Sequence, residues 1–266
     1  MRVVDLDRDM SDVIPVGTSI ESEFLFQRME DATLEALRIG PSARVLDCAA
    51  GMGQDDRRLA RAGAWAVGAE PSERMMALAR MQDAEQRLAP VRVRAWTEVL
   101  PFRGNVFDGA FCKGALDHFD DPVRCLREMA RVTHSEGRVV LAVANFDSLG
   151  CRLARLRDRR VRTRASSGRR HYDVPSDHFT RYDASLLREQ IEPFVRVQEW
   201  TGVSLLWGVR SWARVLDRMP RSWASRLLRL ADWLARRFPA LADVIIVAGR
   251  PRAAPPAPFG RPVPSR

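Results

Sequence analysis

Lysine is almost missing from this 266-residue chain: Lys113 stands alone, and the other 42 basic residues are arginine. Heavy use of arginine, alanine and proline marks a GC-rich genome, which discounts the net charge of +9 as a sign of function. Tyrosine is scarce too, with only Tyr172 and Tyr182. The four cysteines (Cys48, Cys112, Cys125, Cys151) form no CxxC pair, and two of them fall in expected strands. This argues against a disulfide framework and for buried free thiols in a reducing cytoplasm. No window holds 18 uncharged apolar residues, so no transmembrane helix is expected. The opening "MRVVDLDRDMSDVIP" is acidic and interrupted, unlike a signal peptide. What is present is an ordinary globular composition, 46% hydrophobic and 29% charged. The length allows one large domain, or one domain with an elaboration.

Charge is distributed unevenly. Residues 1–145 carry 19 basic and 23 acidic side chains, net −4, while residues 146–266 carry 24 and 11, net +13. A mildly acidic half joined to a basic one suggests two jobs.

Apolar spacing predicts a helix over 19–38, stopped by Gly40-Pro41. Strands are expected at 43–48, 65–70, 91–96, 106–112 and 137–145. Helices are expected between them, over 53–62, from an N-cap at Ser72 to about Arg87, and over 121–134 with Pro122 in the first turn. This alternation is the pattern of a parallel sheet wrapped by helices on both faces. After Asn145 the rhythm breaks. An arginine run covers 151–170, two more strands are expected at 195–203 and 242–250, and about 40 residues of basic amphipathic helix lie between them. The expected fold is therefore α/β and Rossmann-like: seven strands, mostly parallel, with a helical lid or insertion in the C-terminal half. The expected organisation is an N-terminal helical segment (1–42), a core (43–145), a basic lid carrying the last two strands (146–250) and a disordered Pro-rich tail (251–266).

In such sheets a ligand sits at the carboxyl ends of the strands, where their order reverses. The first turn, "DCAAGMGQDD", has Gly51 and Gly53, which let backbone approach a ligand closely. Glu70 ends the second strand, 19 positions after Gly51, where a carboxylate can accept both ribose hydroxyls. Neither register of the turn completes the GxGxxG pattern of dinucleotide binders. Asp47, just before the turn, is poorly placed for a pyrophosphate and suits a ligand with a positive centre. S-adenosylmethionine carries a sulfonium, an ammonium, a ribose and an adenine, and no phosphate.

"VLDCAAGMG" resembles motif I (roughly hhDxGxGxG) of class I S-adenosylmethionine-dependent methyltransferases. "VGAEPSERMMALAR" resembles their second-strand motif, and "LPFRGNVFDGAFCKGALDHFDDPVRCLREMARV" resembles the stretch shared by the type 11 subfamily. The resemblance covers about residues 43–145. It implies that Asp47, Gly51 and Gly53 line the methionine part of the cofactor. Glu70 would hold the ribose, and Pro71 and Met75 would pack near the adenine. Trp96 and Thr97 would lie at the adenine edge, and Lys113 and Gly114 would flank the sulfonium side. Ala49 stands where the family usually has glycine, and Trp96 where an aspartate often meets the adenine amino group. Trp96 could stack on the ring, with Glu98 as the replacement acceptor.

The resemblance further implies methyl transfer to a small-molecule or lipid-like acceptor, bound under a lid formed by residues 146–240. The stretch "GRRHYDVPSDHFTRYD" (168–183) is dense in chemistry and would pass over the site's mouth. Within it His178, flanked by Asp177, and Tyr172 are catalytic candidates, with His118 as a third. The competing reading is a loop packed by aromatics and hydrogen bonds. No metal-ligand spacing is recognised. The basic helical segment reads as a cap on the sheet or as an interfacial pair, with Trp at headgroup level and Arg on anionic lipid. The expected location is cytoplasmic, with peripheral contact at the inner membrane face as the membrane variant. Alternatives are an RNA methyltransferase using the basic half as a phosphate track, and a non-catalytic cofactor-binding protein. Oligomeric state is unreadable.

Overall fold

A computed structural model describes residues 19–161, Tyr172 and residues 179–252. The chain runs α1 (Ile20–Leu37), β1 (Arg44–Cys48), α2 (Gln54–Arg61), β2 (Trp65–Ala69), α3 (Glu73–Glu85), β3 (Val91–Val93) and β4 (Phe107–Lys113). It continues through α4 (Pro122–Val132), β5 (Thr133–Ala144), α5 (Leu149–Val161), α6 (Ala184–Ile191), β6 (Val195–Val203), α7 (Arg210–Asp217), α8 (Arg221–Arg237) and β7 (Val244–Pro251). The strands form one sheet in the order β3-β2-β1-β4-β5-β7-β6. Only β7 runs against its neighbours, pairing antiparallel with β5 and β6. This is the expected seven-stranded, mostly parallel architecture.

Each face of the sheet has its own core. Leu46 and Cys48 of β1 point toward α4 and α6, packing with Leu126, Met129, Leu187 and Ile191. Val45 points the other way, with Phe111 and Val140, against Leu25, Met29 and Leu37 of α1. The period of two along a strand puts Asp47 on that second side. Side-chain caps begin several helices: Ser72 accepts from Met75 N as expected, Asp121 from Arg124 N, and Asp183 from Ser185 N and Leu186 N.

Three boundaries differ from the expected ones by more than two residues. β3 stops at Val93 rather than residue 96, because its partner β2 has ended: Glu70 N already takes the Val93 carbonyl, at 3.1 Å. β5 begins at Thr133, four residues early, with a register shift opposite Phe107 and Gly109. The basic amphipathic helix expected after the strand at 195–203 begins only at Arg210, since Ser204, Leu206 and Gly208 hold positive φ and interrupt it. Leu205 packs instead with Ala231, Ala235 and Ala242.

Candidate active site

β1 is the point where strand order reverses, with β2 on one side and β4 on the other. The chain leaves β1 through a turn with three left-handed residues, Ala49 (φ 61°), Gly51 (φ 52°) and Gly53 (φ 68°). Gly53 N donates to the Ala50 carbonyl at 2.8 Å and Ala50 N to the Ala69 carbonyl at 3.1 Å, tying the turn to itself and to β2. Glu70 completes the tie. One of its carboxylate oxygens accepts from Gly51 N at 2.8 Å, the other from Ser72 N at 2.9 Å. A carboxylate has about four lone-pair sites, so Glu70 can still accept further hydroxyls. Burial raises its pKa, which the two N–H groups oppose.

Beneath the turn lies a buried charge cluster. Asp47, Asp55 and Asp56 are all buried, and the carboxyls of Asp47 and Asp56 meet. Burial pushes Asp47 well above the usual carboxylate range, helped by the negative charges of Asp56 and Asp55 and opposed by Lys113. Burial also pushes Asp56 up, to about 6, against the pull of Arg92. Arg92 bonds to Asp56 and grips Asp83 with two N–H groups, at 2.9 and 3.0 Å. Arg57 reaches Asp83 at 3.2 Å and the Met52 carbonyl at 2.7 Å. Lys113 pairs with Asp55 at 2.7 Å. Four carboxyls thus face three basic groups, an excess that suits either a shared proton or a cationic ligand.

The sequence reading missed most of this cluster. The pair Asp55–Asp56 is visible as acid in a helix's first turn, but nothing in "VRVRAW" shows Arg92 reaching under Gly53. A Cβ on Gly53 would fall 2.1 Å from an Arg92 guanidinium nitrogen, so that glycine serves close approach as well as its backbone angle.

The remaining expected residues follow the ends of three strands, β2, β3 and β4. Met75 is buried in α3, and its methyl lies 3.6 Å from where a Gly51 Cβ would stand. The Pro71 carbonyl accepts from Arg94 at 3.2 Å. Trp96 is half-buried in the turn after β3. The adjacent Thr97 Oγ1 and Glu98 Oε2 are buried with no hydrogen-bond partner among the described residues. Such orphaned acceptors are costly unless a ligand or water meets them. Gly114 follows β4 at φ 66°. Lys113 is committed to Asp55, so its charge balances the cluster rather than standing alone.

The catalytic candidates are more scattered. His118 is half-buried in a 3-10 turn, Leu116–His118, beyond β4. The Asp117 carbonyl in that turn accepts from Phe179 N at 2.7 Å and Thr180 N at 3.2 Å. Residues 179 and 180, just before α6, therefore lie against the turn that follows β4. The Tyr172 hydroxyl bonds Asp158 of α5 at 3.1 Å, with Arg155 5.8 Å from its ring centre. Tyr182 is buried in the core, its hydroxyl on Gln190 at 2.7 Å. His178 and Asp177 lie outside the described residues.

A parallel sheet with its order reversing at β1, a left-handed glycine turn there and a carboxylate closing β2 together define a Rossmann-like nucleoside-binding fold. Residues 46–141 match the family described as "Methyltransferase domain". Residues 46–141 thus form a methyltransferase domain on a Rossmann-like fold. Demethylmenaquinone methyltransferase of Mycobacterium marinum is 42% identical over 110 residues, 41% of this chain and 45% of that relative. The matched part is about half the length of such relatives. Among solved structures, the PH0226 protein from Pyrococcus horikoshii OT3 aligns with a TM-score of 0.59 at 14% identity, covering 88% of this chain and 93% of that one. The [4+2]-cyclase SpnF aligns at 0.57 and 20% identity, covering 84% and 80%. At these identities the likeness concerns the fold alone.

Proposed function

We propose that the chain transfers a methyl group from S-adenosylmethionine to a small-molecule or lipid-like acceptor. One observation carries the donor assignment: the excess of buried carboxyl groups, Asp47 and Asp56 foremost, under a left-handed turn. Pyrophosphate would be repelled there, and a cationic donor is favoured. Bound there, S-adenosylmethionine supplies a methyl group already activated by its sulfonium. Asp47 and the turn 49–53 would receive the methionine end, and Glu70 the ribose hydroxyls. Thr97 and Glu98 have the free acceptor capacity an adenine amino group requires, with Trp96 and Met75 as its apolar neighbours. The protein's part is to align the acceptor and exclude water, and Phe179 and Thr180, bonded to the Asp117 carbonyl after β4, would serve the second purpose. The quinone-related names of the matched relatives support an apolar ring acceptor.

Calorimetry with S-adenosylmethionine and its demethylated thioether tests this. Both should bind, and Glu70→Gln should weaken both about ten-fold or more, as expected when a charged hydrogen-bond acceptor is lost. The pH dependence separates the ligands. As Asp56 ionises through about 6, affinity for the donor, with its sulfonium and ammonium, should rise more than affinity for the thioether, which keeps only the ammonium. No heat with either ligand would remove the proposal. A second reading, binding without methyl transfer, is favoured by one finding: the cyclase SpnF shares the fold. Transfer of labelled methyl to a demethylated quinol would decide between them.

A further inference from the structure

We propose that the outward face of α8 is a docking surface for an anionic lipid bilayer. α8 buries Ala224, Leu228, Ala231 and Ala235 on one side. The 3.6-residue repeat then sends Trp223, Arg226, Leu230, Trp233 and Arg237 to the opposite side. A solvent-facing stripe should be polar. Here Trp223 and Trp233 are each 61% exposed and Leu230 is 54% exposed. Beside them an open groove of about 610 Å³ is lined by Met219, Pro220, Trp223, Arg226, Leu227 and Leu230. The Arg226 guanidinium lies 5.5 Å from the Trp223 ring centre.

The charge around this face is predominantly positive. Residues 205–241 contain eight arginines and two acids, Asp217 and Asp232. Asp232 is buried and paired with Arg28 and Arg236, leaving Asp217 as the exposed acid. Exposed indoles, an exposed leucine and an apolar groove amid arginines that, Arg236 apart, have no ion pair among the described residues match a bilayer interface: indole at headgroup level, arginine on phosphate, aliphatic groups among acyl chains. Two other occupants fit less well. A two-fold dimer through this face would set one arginine-bearing patch (Arg226, Arg229, Arg237) against the same patch of the second copy, positive against positive. A nucleic acid would use the arginines and could stack on the indoles, but it leaves Leu230 and the groove uncovered. No helix among the described residues is long and apolar enough to cross a membrane, so contact would be with the surface.

Placement gives the surface a use. β6 and β5 both run antiparallel to β7, so β6 points the same way as β1 and β4. The α7–α8 pair leaves the carboxyl end of β6, on the same edge of the sheet as the glycine turn. Docking would bring that edge to the bilayer, where an apolar acceptor resides. The docking itself does not depend on the methyl-transfer reading.

The test uses the full chain with vesicles of phosphatidylcholine alone and of phosphatidylcholine with phosphatidylglycerol, in co-sedimentation at low and high salt. Binding should favour the anionic vesicles at least ten-fold and weaken with salt. The triple variant Arg226→Gln, Arg229→Gln, Arg237→Gln should lose about ten-fold or more. The pair Trp223→Ser, Trp233→Ser should lose binding to a similar degree, and unchanged melting temperatures would show that both variants fold. Equal binding to both vesicles, no binding, or full retention by both variants would overturn the proposal. So would micromolar self-association abolished by Trp223→Asp, or single-stranded RNA binding tighter than the anionic vesicles.

Discussion

Ala49 holds its backbone at φ 61°, a conformation that disfavours any side chain with a Cβ. Its relief by Ala49→Gly should largely offset the flexibility that glycine adds to the unfolded chain. The net change should stay within about 1 kcal/mol of zero. Ala77→Gly, on the exposed face of α3, should cost about 1 kcal/mol with no such offset. Urea denaturation of the two variants checks the contrast. Gly53 is less forgiving. Gly53→Ala adds strain at φ 68° and drives a methyl into the Arg92 guanidinium. The loss should be roughly 2 kcal/mol or more, with ligand binding impaired as the turn shifts. The two glycines and Glu70 were legible because turns and strand ends leave local signatures. Arg92 was not, because its partners Asp56 and Asp83 lie 36 and 9 positions away in α2 and α3, and only folding brings them together.

At the scale of elements, the inserted helices are fastened by one buried acid. Asp232 of α8 accepts from Arg28 of α1 at 3.1 Å, from Arg236 at 2.6 Å and from Ser204 N after β6 at 3.3 Å. Asp232→Ala takes from the largely buried Arg28 its closer and buried partner, leaving the exposed Glu35 at 3.5 Å. The expected loss is about 3 kcal/mol, read as a lower urea midpoint, and the glycine-turn site should be affected less than after Gly53→Ala. Helix periodicity revealed α8 and its arginines in the sequence. It did not reveal that α7 is short, because the left-handed residues Ser204 and Leu206 carry no glycine-like mark. Nor did it show that the apolar residues of α8 divide between two faces. Spacing alone cannot say which face meets the protein.

For the whole molecule, the raised carboxyls set the response to pH. Asp243, at the start of β7, is pushed up to about 7 by burial, although Trp207 N donates to it at 2.9 Å and Ser204 and Ser148 also bond it. Asp56 is pushed up to about 6. An acid with a raised folded-state pKa holds its proton longer in the native state than in the unfolded one. Its contribution is complete below about pH 4 and is lost as pH rises through 6 to 7. Stability without ligand should therefore fall between about pH 4 and pH 7, by on the order of a few kcal/mol, and Asp243→Asn should flatten that slope. A melting temperature that rises over this interval would contradict the assignment. The sequence by itself determined the sheet, its alternation with helices and the cradle at the end of β1, because hydrophobic period, caps and glycine turns are local. Only the tertiary structure decided which charges share the space beneath the cradle, that Asp243 is buried, and that Trp223 and Trp233 face outward. Burial and pairing depend on distant segments meeting, and no local pattern encodes that.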